Sequence, residues 1–236
     1  MGWVPYCGIG STPADIWSRW NFDPVLLALL AASILWVGSR REVRRPWLGL
    51  GVTLLLISFV SPLCALSSAL FSARTIHHLI LVAGVAPALA LALRRPVGGL
   101  VIATAVQTVV FWVWHAPGAY AAALSNDAVY WLMQLSLLGA AVWFWCAVRA
   151  ASAPAAVAAL VLTTVQMGLL GTLIAFAGQP LYAPHLLTTG AWGLTPLEDQ
   201  QIAGLTMWAP ALGLYLAAAL WRVARLIGPD AARTVT

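Results

Sequence analysis

Four histidines stand in this chain, His77, His78, His115 and His185, in stretches that the order of its apolar segments places on one side of a membrane. Imidazole near hydrocarbon is costly and scarce, so four at one rim point to a metal or haem site facing outward. Sulfur and carboxylate accompany them. Cys7 and Cys64 fall on the same side, Met133 starts the fifth apolar stretch, and Glu198 and Asp199 precede Met207 by about two helical turns. Imidazole, thioether and thiolate suit copper, above all Cu(I), better than magnesium or calcium, which take oxygen ligands. Zinc stays open with two histidines, a thiolate and a carboxylate. No contiguous spacing such as C-x-x-C or H-E-x-x-H occurs. The signal is a gathering of residue types, not a motif.

His77 and His78 are adjacent on a helix and point about 100° apart, so one of them readily faces the interior. The first-choice ligands are His78, His115 and Met207, the second His77 and Asp199, the third Cys7 and Cys64. Structural roles compete for each. A disulfide between Cys7 and Cys64 is the alternative to metal binding on an oxidising side of the membrane. Met167 and Met207 suit core filling, and His185, in a long connection, suits the interface. Asp199-Gln200-Gln201 suits a helix cap. Cys146 reads as a buried apolar residue.

The elements that must position these groups follow from composition. Of 236 residues, 62% are hydrophobic and 8% charged, against roughly 25% charged in a soluble domain. A chain with so little polar surface takes the bilayer as its solvent. The formal net charge of +5 comes from arginine without any lysine, which excludes a retinal protein, because that Schiff base needs a lysine. The arginines sit in short runs between apolar stretches, as topology signals do and as a nucleic-acid-binding surface does not.

Apolar stretches near the length for a span, about 20 residues, occur at 24–38, 46–63, 76–93, 97–115, 128–148, 154–177 and 202–222. The reading is an all-α, polytopic membrane helical bundle of seven transmembrane helices. Residues 1–23 form an outer N-terminal segment, 24–222 the bundle and 223–236 a cytoplasmic tail, all as one membrane domain. No cleavable signal peptide is evident in the first 23 residues, so that segment is expected to stay attached. Alternate connections and the tail hold Arg40, Arg41, Arg44, Arg45, Arg94, Arg95, Arg149, Arg222, Arg225 and Arg233, whereas the other side holds Arg19 and Arg74. By the positive-inside rule the N-terminus is outside and the C-terminus inside. The outer side then holds the N-terminal segment with Trp3, Trp17 and Trp20, and the connections 67–75, 116–127 and 178–201. Trp112, Trp114, Trp131, Trp192 and Trp208 lie near the same rim, where an aromatic belt accounts for most of them. Pro87 and Pro210 fall inside helices and are expected to free a carbonyl each. Gly168, Gly171 and Gly204 offer surfaces for close helix packing. No nucleophile–base–acid arrangement asks for an enzyme.

Specific stretches carry a resemblance: His78-Leu79-Ile80-Leu81 through Ala86-Pro87, Trp114-His115-Ala116-Pro117 with Tyr120, and Gly168-Leu169-Leu170-Gly171 through Pro180-Leu181-Tyr182. Most distinctive is Pro196-Leu197-Glu198-Asp199-Gln200-Gln201 with Gly204, Met207 and Trp208. In these the chain resembles the many-spanning CtaG family of cytochrome c oxidase assembly factors, those associated with caa-type haem–copper oxidases. It does not look like the single-span copper chaperone that shares the name. The resemblance implies a multi-pass protein of the bacterial inner membrane that serves an oxidase, with oxidase subunits and periplasmic copper chaperones as partners and copper as cargo. Two positions depart from the family pattern. Arg74 stands where the family often has a histidine one turn before the one matching His78, and Met133-Gln134 where it often has one early in the fifth helix.

The expectation is therefore a non-enzymatic accessory protein that holds Cu(I) transiently at its outer rim and passes it to an oxidase subunit. Its rivals are a haem-binding membrane electron carrier, a copper transporter, and a scaffold without metal. No ladder of acidic, histidine or methionine residues continues into the inner half, which speaks against a transporter.

Overall fold

The computed structural model describes residues 5–93 and 97–227. Among them the regular structure is entirely helical: α1 (Pro24–Gly38), α2 (Arg45–Phe59), α3 (Leu63–Ala69), α4 (Phe71–Leu79), α5 (Ala86–Ala92), α6 (Leu100–His115), α7 (Pro117–Ala123), α8 (Asp127–Ala150), α9 (Ala153–Ala175) and α10 (Pro196–Ile227). Sequence chemistry sets many boundaries. Asp23 caps α1 by accepting from the Val25 and Leu26 amides, with Pro24 in the first turn, where its missing N–H costs nothing. Asn126 caps α8 through the Val129 amide. Thr195 and Glu198 form a reciprocal capping box at the start of α10.

Four helical stretches are long and apolar enough to cross a membrane: Phe71–Ala92, Asp127–Ala150, Ala153–Ala175 and the α10 helix. The pairs α2–α3 and α6–α7 bring the number to six if each bent pair is one span. Seven were expected; length and composition support four to six. α1 has 15 residues, roughly 22 Å at 1.5 Å per residue, against about 30 Å of hydrocarbon. The expected second and fourth stretches end at bends, and a further short helix continues beyond each: the chain turns by 45° between α2 and α3 and by 78° between α6 and α7, close to Pro62 and Pro117. α4 and α5 are joined by a π-helical turn, Ile80–Val85, just ahead of Pro87. Proline there removes a backbone donor, and the wider turn is how the helix absorbs it. The Trp145 indole donates to the Val82 carbonyl in that turn at 2.9 Å, so a neighbouring helix satisfies it as expected. α10 continues through Pro210 without a break.

The segment 67–75 departs from its expected role as an outer connection. Most of it is helix, in α3 and the first turns of α4, and Arg74 is fully buried. Its apolar neighbours Ala65, Ala69, Leu70, Phe71 and Ala73 are buried with it; once they pack inward, the chain has no reason to loop out. α9 and α10 form the closest helix pair. A Cβ on Gly204 would sit 2.5 Å from the Gly171 carbonyl oxygen, and one on Gly171 2.7 Å from that of Gly204. Only glycine allows these backbones to touch.

One end of the bundle is closed by the N-terminal segment and the connection between α9 and α10. Cys7 and Cys64 are disulfide-bonded, the Trp192 indole donates to the Ser11 carbonyl, and the Thr188 hydroxyl donates to that of Ala69. Asn21 ties the same segment to the end of α2 through the Phe59 and Val60 carbonyls. Trp3, Arg94, Arg95, Arg233 and the last residues of the expected tail lie outside the described residues.

Candidate metal centre

The four histidines gather beneath this cap and are all buried. The ring centres of His77 and His78 are 5.8 Å apart, and those of His78 and His115 5.6 Å apart, edge to face. α4 presents His78 to α6, while His77 points away and packs edge-on against Phe59 at 5.0 Å. The 100° separation of adjacent helical residues has its expected result.

His78, His115, Met167 and Met207 line one small cavity of about 10 Å³, with Thr75 and Phe111 among its other walls. The three first-choice residues thus come together, from α4, α6 and α10, and α9 adds Met167. The cavity admits about one water-sized sphere. Neither ring nitrogen of His78 has a hydrogen-bond partner. Leaving a buried polar group unpaired costs roughly 1–3 kcal/mol, so an imidazole in this condition is a lone pair held ready. His115 is oriented: its Nδ1 lies 2.7 Å from the Phe111 carbonyl oxygen. A carbonyl only accepts, so Nδ1 carries the hydrogen and the lone pair is on Nε2. Metal-binding histidines are commonly fixed in this way. The Tyr182 hydroxyl donates to the His115 carbonyl at 2.8 Å and steadies the end of α6.

With metal–nitrogen bonds of about 2 Å, two imidazoles on one ion lie about 5 to 6 Å apart, centre to centre. The spacing of His78 and His115 matches. Two imidazoles and two thioethers form a neutral, soft donor set suited to Cu(I). Among the described residues, no three His, Cys, Asp or Glu side chains converge as a metal-holding group, so a third or fourth side-chain donor here would be methionine sulfur.

The remaining candidates have other employment. Cys7 and Cys64 bond to each other; sulfur in a disulfide offers no thiolate to a metal, which corrects their place as third-choice ligands. Asp199 uses both carboxylate oxygens, accepting from the Phe71 amide at 2.6 Å and from the Ser72 amide and hydroxyl at 3.2 and 2.5 Å. It caps α4, whose preceding residue Leu70 has no capping side chain, rather than its own helix. Gln200 bonds the Leu181 amide and the Ile174 and Gln179 carbonyls, pinning the connection before α10. His185 meets the Tyr120 hydroxyl through Nε2 at 2.7 Å. His77 makes no hydrogen bond of good geometry, although its ring approaches the Ser58 backbone.

Two further residues stand at this place that the sequence does not single out as candidate ligands. Sequence alone suits Met167 to core filling, yet it stands four residues before Gly171 on the face that the glycine pair presses against α10. That spacing was the available signal. Arg74, read as an outer-side arginine, is wholly buried. It donates from Nε to the Ser67 carbonyl at 3.2 Å and lies 5.3 Å from the Tyr130 ring centre. Its terminal nitrogens face the Tyr120 and Tyr130 hydroxyls without a hydrogen bond of good geometry. It places a fixed positive charge beside His77 and His78.

No curated protein and no solved structure matches the chain. A family model for the cytochrome c oxidase caa3 assembly factor, Caa3_CtaG, matches residues 93–228. The match takes in His115, Met167, Asp199 and Met207 and leaves His78 and Arg74 outside. It spans α6 to α10 and more than half of the chain, and by it this membrane protein belongs to the Caa3_CtaG family of cytochrome c oxidase assembly factors.

Proposed function

We propose that the protein holds Cu(I) transiently between α4, α6, α9 and α10 and passes it to an oxidase subunit in the bacterial inner membrane. The observation that carries this reading is His78, buried with both ring nitrogens unpartnered beside His115, Met167 and Met207 in one small cavity. Four neutral donors bind a soft monovalent ion without surrounding it by countercharge. The fixed charge of Arg74 opposes tight retention, as delivery requires. A cavity of about 10 Å³ suits one ion and argues against haem as the occupant.

The capped end of the bundle faces the periplasm in this reading. The arginine distribution supports it through the positive-inside rule, and the Cys7–Cys64 disulfide supports it because such bonds persist on the oxidising side. A seven-span arrangement follows if α1 and both bent pairs cross.

The test is titration of the reduced-metal-loaded protein, purified in detergent, against a competing Cu(I) chelator. The wild type is expected to hold one Cu(I), and the His78→Ala/His115→Ala double variant to lose at least tenfold in affinity. Equal affinity in the two proteins rejects the site.

A further inference from the structure

At the opposite end of the bundle a second cavity, of about 470 Å³, opens between α2, α5, α8, α9 and α10. Its size lies within the roughly 300–1,000 Å³ of pockets that hold small ligands. The lining is apolar and aromatic, with Trp47, Pro87, Trp145 and Trp221 prominent, and its charged members are Arg149 and Arg222. Trp221 and Leu214 on its α10 wall are exposed, so the opening faces the region that hydrocarbon chains fill.

Both arginines are anchored at the mouth. Arg149 donates from Nη1 to the Ala90 carbonyl and, at 2.9 Å, to that of Leu93. Arg222 donates from Nη2 to the Ala151 carbonyl at 2.7 Å. These bonds hold the guanidinium groups in place without neutralising them, since carbonyls carry no net charge. The Arg222 Nε is buried and has no hydrogen-bond partner. No acidic side chain is among the described lining residues. An apolar chamber open to lipid, with two positioned cations and a spare donor at its polar end, is complementary to an amphiphile with an anionic head.

We propose that this pocket binds an anionic phospholipid, with one acyl chain along Trp145 and Pro87 and the headgroup phosphate between Arg149 and Arg222. The occupant would brace α5, α8 and α10 at the end remote from the metal centre. Basic pockets between spanning helices take lipid headgroups by this combination of charge and shape.

The experiment uses the full chain in neutral detergent, titrated with phosphatidylglycerol or with phosphatidylcholine of the same acyl chains, and read by native mass spectrometry and thermal unfolding. The wild type is expected to prefer phosphatidylglycerol, by roughly fivefold for each engaged arginine, and to unfold at higher temperature with it. Arg222→Gln is expected to reduce the preference roughly fivefold and leave phosphatidylcholine binding unchanged. Ala218→Trp, which fills the chamber, is expected to lose both lipids. Equal binding of the two lipids by the wild type overturns the proposal, as does a preference that Arg222→Gln leaves intact. If Ala218→Trp does not fold, the Arg222→Gln comparison still decides.

Discussion

The Tyr120 hydroxyl and His185 Nε2 lie 2.7 Å apart, joining α7 to the connection that closes the bundle. Phe71 packs against both residues, 5.3 Å from the Tyr120 ring and 6.0 Å from the His185 ring. Three distant parts of the chain therefore share one buried junction on the same side of the bundle as His78 and His115.

Acid should loosen that junction. Burial, reinforced by the Arg74 charge, lowers the His185 pKa from 6.5 to about 3. The unfolded chain then binds a proton below its ordinary value that the native state refuses. Stability is unaffected above pH 6.5, falls by up to about 1.4 kcal/mol per pH unit below it, and levels off near the native value. Thermal unfolding of His185→Gln between pH 7.5 and 4.5 should show a shallower acid slope than the wild type.

Thioether sulfur should matter apart from volume. Met167→Leu/Met207→Leu keeps the cavity apolar and nearly constant in size, a swap that usually costs less than about 1.5 kcal/mol per site. Chelator competition is expected to show at least a tenfold loss of Cu(I) affinity with little change in unfolding temperature. Unchanged affinity would leave the two imidazoles as the only donors.

Arg74 should weaken copper binding by its charge. Arg74→Gln removes a fixed cation beside a cationic cargo, and several-fold tighter Cu(I) binding is expected, equivalent to about 1 kcal/mol at intermediate dielectric. Competition titration at two ionic strengths checks it: the buried effect should persist in salt.

The disulfide and the copper site should separate cleanly. Cys7→Ser/Cys64→Ser releases the N-terminal segment from α3 and should cost about 2 to 4 kcal/mol of stability. Copper affinity measured on the folded protein at low temperature should stay within twofold of the wild type if copper is held by the histidines and methionines, since the two sulfurs bond to each other.

Close packing of α9 on α10 should be required for both stability and binding. Gly204→Val places carbon against the Gly171 carbonyl and the Ala175 backbone, and overpacking of this kind costs about 1–3 kcal/mol. Unfolding temperature should fall, and Cu(I) affinity with it, because Met167 and Met207 are carried apart.

Helix positions were readable from the apolar stretches because length and hydropathy are local properties. The bounds 24–38 recur in α1, and the expected second to seventh stretches each overlap an observed helix. Breaks at Pro62 and Pro117 were harder to read, since proline near a helix end serves equally as its first residue. The convergence of His78, His115 and Met207 was inferred from their shared side of the bundle. Which partner Asp199 would choose was not legible: an acidic residue in a first turn suits its own helix by every local rule. Only the packing of α10 beside α4 turns it outward. Arg74 was misplaced for a similar reason, since charge near a predicted connection is read as solvent-facing until its apolar neighbours fold over it.

Asp199 has one more implication. Its carboxylate, rooted in α10, grips the opening turn of α4, and seven residues past that turn's start stands His78. The two helices thus behave as a lever and its fulcrum: tilting one drags the other. A force applied to the start of α10 would therefore move His78 from a distance, through a carboxylate that does not touch its ring.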